Sequence, residues 1–167
     1  SMLVDDVMDI VDAEHGNYRI QKSPFMVNDV CRNAMQMAEM RLQAAVKLYF
    51  TSDVADDYTL NTDERRIQQV LVNFLTNACK HTQKGEIHLH VSTSENPGRL
   101  TFSVTDTGEG VAPEAAKDIF LRYKKAHNNI QGSGIGLHIC SIIAEKLGAE
   151  IKLDQSYTNG ARFLFII

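Results

Sequence analysis

The segment 61–82, NTDERRIQQVLVNFLTNACKHT, constrains the fold more than any other stretch of this chain. Asn61 to Asp63 offer helix caps, and acidic residues occupy the first turn, where they suit the partial positive charge of a helix start. Ile67, Val70, Leu71, Phe74, Leu75 and Ala78 then recur at the spacings of one apolar stripe, so this helix must bury a face against another layer. The next segments supply that layer. GEIHLHVSTS (85–94) and RLTFSVTD (99–106) alternate apolar and polar residues as strands, and ENPG joins them as an antiparallel pair. At roughly 100° per residue, Asn73, Asn77 and Lys80 cluster within about 60° of one another, beside the apolar stripe. Two amides and an ammonium there suit either a Mg²⁺–phosphate site or a plainly solvated face.

The remaining elements follow from the same periodicities. MLVDDVMDIVDA (2–13) reads as a helix with Leu3, Val7, Ile10 and Val11 on one face, stopped by the glycine of EHGN. A second helix is expected from about Val27 to Ala45, and Val46, Leu48 and Phe50 alternate as a strand. The last helix spans roughly Ile135 to Leu147, ended by Gly148, before two closing strands in EIKL and ARFLFII. The sum is an α+β two-layer α/β sandwich, a mixed, mostly antiparallel sheet with helices on one face.

At 167 residues, with 44% hydrophobic and 23% charged residues, the chain suits one domain with its own core. A net charge of −4 gives no basic footprint, so no nucleic acid is expected. No apolar run approaches the ~20 residues of a membrane span, and no direct membrane contact is expected. Cys31, Cys79 and Cys140 are odd in number and lie in apolar helical patterns, which suits buried thiols in a reducing, cytoplasmic compartment. Ser1 before Met2, and an end at FLFII without a polar tail, read as an excised piece of a longer protein.

Gly132, Gly134 and Gly136 alternate within five residues in QGSGIGLHIC, just before the last helix. The spacing fits neither a P-loop, which needs a lysine after its last glycine, nor G-x-G-x-x-G after a buried strand. What the residues support is either an anion site of bared N–H groups at a helix start or a glycine hinge. Ahead of them, Arg122, Lys124, Lys125 and His127 form either a lid over a polyphosphate or a solvated charge run. Asp106, at the end of the strand 99–106 with Gly108 and Gly110 after it, could accept a hydrogen bond from an exocyclic amine such as that of adenine, or merely close an Asp-x-Gly turn. His88 and His90 alternate with apolar residues and read as an outward strand face rather than a metal site.

In this order NFLTNACKHT, DTGEGV, DIFLRY and GSGIGL resemble the N box, first glycine box, F box and second glycine box of the histidine kinase catalytic domain, one of the Bergerat-fold ATPases that include gyrases, mismatch-repair ATPases and the large heat-shock chaperones. The resemblance covers residues 22–167, a catalytic ATP-binding domain. Residues 1–21 resemble the end of the second dimerisation and phosphoacceptor helix and its linker. None of His15, His81, His88, His90, His127 or His138 lies in an acceptor-like context, so the acceptor histidine is expected upstream.

The resemblance implies ATP and Mg²⁺ as cofactors, with a role for each matching residue. Asn77 is the Mg²⁺ ligand and Asn73 a second polar contact; Lys80 reaches the phosphates; His81 lines the nucleotide edge; Asp106 reads the adenine amine. Gly108 and Gly110 let the base approach, Phe120 anchors the lid, and Arg122, Lys124 and Lys125 are phosphate contacts. Gly132, Ser133, Gly134 and Gly136 contact the triphosphate, with Leu137 packing at the helix start. Asn73, Lys80 and Arg122 are the catalytic set. Where hydrolysing relatives carry a glutamate that activates water, this chain has Asn73, and an amide cannot act as that base.

The implied activity is therefore in-line transfer of the γ-phosphoryl group to an imidazole by an ATP-dependent protein-histidine kinase of a two-component system. Its implied partners are the dimerisation domain of the same protein, a receiver domain and, in the full-length protein, a second copy, in the cytoplasmic part of a membrane-bound sensor. A degenerate nucleotide-binding scaffold, or a serine kinase or ATPase of the same superfamily, is the alternative. Two departures stand out. Ala161 follows Gly160 where a threonine is frequent, and Gln131 stands where a glycine is common.

Overall fold

The computed structural model describes residues 2–121 and 135–167. In chain order the elements are α1 (Met2–Glu14), β1 (Ser23–Met26), α2 (Val27–Glu39), β2 (Ala45–Ser52), β3 (Thr59–Thr62), α3 (Glu64–His81), β4 (Lys84–Ser92), β5 (Thr101–Asp106), α4 (Pro113–Ala116), α5 (Ile135–Leu147), β6 (Glu150–Leu153) and β7 (Arg162–Ile166). Arg122, Lys124, Lys125, His127, Gln131, Gly132, Ser133 and Gly134 lie outside the described residues.

Asp63 caps α3 as the sequence predicts: its Oδ1 accepts a hydrogen bond from the Arg66 backbone N–H at 3.2 Å. The apolar stripe of α3 is buried throughout, from Ile67 to Ala78. It packs on a five-stranded sheet of order β2-β4-β5-β7-β6, in which β2 and β4 run parallel and every other pair antiparallel. The strand alternation sorts side chains between the two faces. Ile87, Leu89 and Val91 of β4, Phe102 and Val104 of β5, and Phe163 and Phe165 of β7 are buried with the helices. The rings of Phe74 and Phe163 meet at 5.4 Å between centroids, which joins the two layers. On the other face, His88 Nε2 and His90 Nδ1 lie 2.5 and 2.6 Å from the Thr51 hydroxyl, the outward strand face expected for them. Among the described residues no group of three or more His, Cys, Asp or Glu side chains could hold a metal.

Three features differ from the sequence reading. α2 ends at Glu39, not near Ala45, because Ala45 already pairs with Lys84 at the start of the β2–β4 ladder. Ser23–Met26 and Thr59–Thr62 form a separate antiparallel ribbon, too short for alternation to reveal. Of the stripe expected on α1, Ile10 is buried but Val7 and Val11 are 37% and 38% exposed. Instead α1 turns Asp6 and Asp9 inward, where Arg66 and Gln69 of α3 hold them. No described helix is long and apolar enough to cross a membrane. All three cysteines are buried and free, and burial pushes the Cys31 thiol up to about 12.

The Asp9–Arg66 pair, 3.0 Å apart with both side chains about nine-tenths buried, ties α1 to α3. The Arg66 guanidinium also stacks on the Tyr18 ring at 4.3 Å. Arg66→Ala strands a buried carboxylate and is expected to cost about 3 kcal/mol in chemical denaturation. A loss below about 1 kcal/mol would show that Gln69 alone satisfies Asp9.

Candidate functional site

A cavity of about 170 Å³ opens between the C-terminal half of α3, the end of β5 and the segment that leads into α4. Asn77 and His81 reach it from α3, Asp106 from β5, and Val111, Ala112 and Ala115 give it an apolar wall. Asp106 is 3% exposed. Its Oδ1 accepts hydrogen bonds from the Gly108 N–H at 2.9 Å and the Ala161 N–H at 3.2 Å. Its backbone N–H donates to the Ala161 carbonyl at 2.8 Å, and its carbonyl accepts from the Tyr157 hydroxyl at 2.9 Å. The carboxylate is thus fixed in orientation, and both of its described hydrogen bonds fall on one oxygen, leaving Oδ2 for a donor in the cavity. Burial raises its pKa, opposed by the two N–H bonds and by His81.

The glycines of VTDTGEGV serve the backbone more than the cavity. A Cβ on Gly108 would overlap the His81 carbonyl oxygen and lie 2.8 Å from the Thr82 hydroxyl oxygen, so only glycine lets the strand end lie across the C-terminus of α3. Gly110 does line the cavity, with φ +75° and the Gly160 carbonyl oxygen 3.1 Å from where its Cβ would be. Glu109, between them, accepts a hydrogen bond from His81 Nδ1 at 2.6 Å. That contact holds the His81 ring at the cavity edge.

Asn73 sits one turn before Asn77, but the structure places it against the start of α5 rather than in the cavity. It is 4% exposed, and its Oδ1 lies 3.2 Å from where a Cβ on Gly136 would stand. Its Nδ2 is buried, and the side chain lies beside the Asp6 carboxylate and the Cys140 thiol. Lys80 is exposed on the last turn of α3. Leu137 is buried in the core, and Phe120 packs edge-on to Phe163 at 6.0 Å, with its carbonyl 3.2 Å from His138 Nδ1. Both stand outside the cavity lining.

Several groups in or behind the cavity wall escaped the sequence reading. Thr82 is fully buried with an unpartnered hydroxyl beside Gly108; it ends the NFLTNACKHT stretch, and that position was its only signal. Tyr157 and the alanines at 112 and 115 carry no sequence signal, because their role depends on loops that no periodicity describes. Ala161 contributes its backbone N–H, which any residue there would supply.

Adenosine phosphates and Mg²⁺ fit these groups. The cavity offers a fixed acceptor at its floor for an exocyclic amine, an apolar wall for a flat ring, and Asn77 at one side. Asn73 borders the start of α5 through its Oδ1, at Gly136.

Residues 62–167 match the model of the family described as histidine kinase-, DNA gyrase B-, and HSP90-like ATPase, more than half the chain. Among curated relatives, the hybrid signal transduction histidine kinase B of Dictyostelium discoideum is 27% identical over 99% of this chain and 9% of its own length. The autoinducer 2 sensor kinase/phosphatase LuxQ of Vibrio cholerae is 29% identical over 96% of this chain and 20% of its own. The chain thus spans a fifth or less of these two relatives. Among solved structures, full-length ShkA in complex with AMPPNP superposes with a TM-score of 0.83 at 28% identity, covering 98% of this chain and 34% of that one. The catalytic domain of histidine kinase ThkA does so with a TM-score of 0.77 at 27% identity, covering 88% of this chain and 95% of that one. The chain belongs to the histidine kinase-, DNA gyrase B-, and HSP90-like ATPase family, as a catalytic ATP-binding domain of the histidine kinase kind.

Proposed function

We propose that this domain binds ATP with Mg²⁺ and transfers the γ-phosphoryl group to a histidine on a dimerisation domain of its parent protein, from which a receiver-domain aspartate takes it. The observation that carries the reading is Asp106, a buried carboxylate locked by two backbone N–H groups on one oxygen and open to the cavity on the other. In this reading Asp106 selects adenine by its amine, and His81 borders the base. Asn77 would hold the Mg²⁺, which would neutralise phosphate charge. Lys80 and Arg122 draw charge off the transferring group, as do Lys124 and Lys125, and Gly132, Ser133, Gly134 and Gly136 give the triphosphate N–H and hydroxyl contacts. With an amide at position 73, the domain has no base there to activate water, which favours transfer over hydrolysis.

α1 is read as the end of the dimerisation hairpin, with the acceptor histidine upstream and a second copy of the parent protein across the hairpin. Its exposed Val4, Val7, Met8 and Val11 suit such a helix contact. The parent is placed with its catalytic part in the cytoplasm. With the acceptor helices present, Asn77→Ala is expected to lower autophosphorylation by about a hundredfold, since a Mg²⁺ ligand acts only in the phosphoryl-transfer complex. Autophosphorylation at the wild-type rate in that variant would remove Asn77 from the metal site.

A further inference from the structure

His81 and Glu109 are joined twice at the edge of the cavity, once through the backbone and once through their side chains. The Glu109 N–H donates to the His81 carbonyl at 3.3 Å, a close approach that depends on the missing side chain of Gly108. The Glu109 carboxylate reaches back to His81 Nδ1 at 2.6 Å. Both residues line the cavity, His81 from the last turn of α3 and Glu109 from the segment after β5. The His81 side chain is 25% exposed and the Glu109 side chain 68%, so the more enclosed ring is steered by a carboxylate that stands largely in solvent.

The chemistry of this contact is one-sided. An ionised carboxylate offers acceptors only, so Nδ1 is the nitrogen that bears the hydrogen. In the neutral ring Nε2 is then an acceptor, the reverse of the form that an imidazole side chain favours in water. The described hydrogen bonds of the ring fall on Nδ1 alone, and His81 lies close enough to Asp106 to act on its ionisation. The cavity therefore holds two acceptors, Asp106 Oδ2 and His81 Nε2, and suits a ligand that presents two donors. An adenine nucleotide does so: once Asp106 has taken one N–H of the exocyclic amine, the second amine N–H and the sugar hydroxyls remain.

We propose that Glu109 is a positioning and specificity-determining residue of the nucleotide site: by accepting the Nδ1 hydrogen it makes His81 Nε2 an acceptor at the cavity edge, which takes a second hydrogen-bond donor of the nucleotide. The inference rests on the ATP-site reading above and adds to it a second point of recognition. Glu109 acts through His81 and not on the ligand itself. A site with such an acceptor rejects a nucleotide that lacks the matching donor, because the buried group is left unpaired.

Glu109→Ala removes the side-chain acceptor and keeps the backbone tie to the His81 carbonyl, so the fold is expected to stand. Nitrogen NMR of the histidine rings at about pH 8, above the ordinary histidine range, is expected to show His81 with its hydrogen on Nδ1 in the unmodified protein and on Nε2 in the variant. Calorimetric titration with ADP and Mg²⁺ is expected to give an affinity about fivefold lower in Glu109→Ala, and no further loss when Glu109→Ala is added to His81→Ala. Forms of ADP that lack the 2′-hydroxyl, lack the 3′-hydroxyl or carry one methyl on the amine identify the donor: one of them is expected to bind the unmodified protein about fivefold more weakly than ADP and to lose that penalty in Glu109→Ala. Hydrogen on Nε2 in the unmodified protein, an unchanged affinity in Glu109→Ala, an equal loss in the His81→Ala background, or the same penalties for all three forms in both proteins would each overturn the proposal. If the unmodified protein bound no nucleotide, the ATP-site reading would fall and this role with it, whereas binding that ignores Glu109→Ala sinks this role alone.

Discussion

Asp106→Asn is expected to lower affinity for a non-hydrolysable ATP analogue about a hundredfold while leaving the fold intact. The substituted amide keeps the volume and can keep the Gly108 and Ala161 N–H bonds on its oxygen. Its nitrogen then faces the cavity, donor against the amine of the base. A site built to accept a hydrogen bond rejects a mismatched partner strongly, because the buried groups are left unpaired. The pH dependence follows from the same carboxyl. Burial raises its pKa, so affinity should fall as pH drops through that raised value, where the carboxyl gains a proton and its acceptor is lost. Asp106→Asn should flatten this acid limb. An unaltered affinity in the variant, measured by calorimetric titration, would place the base elsewhere.

Gly108→Ala is expected to cost about 3 kcal/mol or more of stability, and to abolish nucleotide binding along with it. The new methyl would overlap the His81 carbonyl oxygen and press on the Thr82 hydroxyl, so either the end of β5 or the last turn of α3 must move. These two segments also carry Asp106 and Asn77, and a displacement of ~1 Å there is enough to spoil binding. Thermal unfolding and titration on the same sample check this. A variant with unchanged midpoint and weakened binding would instead give Gly108 the base-approach role that the family resemblance implies.

The sequence displayed most of the layer architecture because periodicity is a direct imprint of burial. The stripe of α3, the alternation in β4 and β5 and the glycine end of α5 all became elements at their expected places. What it hid was set by partners distant in the chain. Val7 and Val11 share a helical face with Ile10, but Arg66 and Gln69 draw Asp6 and Asp9 inward and rotate that stripe toward solvent. Burial of two carboxylates runs against hydropathy, and no local pattern announces it. The site divides the same way. Asn77, Asp106 and Gly110 were marked by type and spacing and His81 by the family resemblance, and the four meet in one cavity, whereas Asn73, marked by the same helical geometry as Asn77, lies against α5 because its position is one turn earlier and faces that helix. Ala112 and Ala115 enter the cavity only through the path of loops, which spacing does not encode.

The central claim is that the cavity floored by Asp106 binds ATP. Calorimetric titration of the unmodified chain with a non-hydrolysable ATP analogue, with and without Mg²⁺, tests it most directly. Saturable one-to-one binding that Mg²⁺ strengthens is the predicted result, and no heat of binding at ~1 mM analogue, a ceiling corresponding to about −4 kcal/mol, would contradict it.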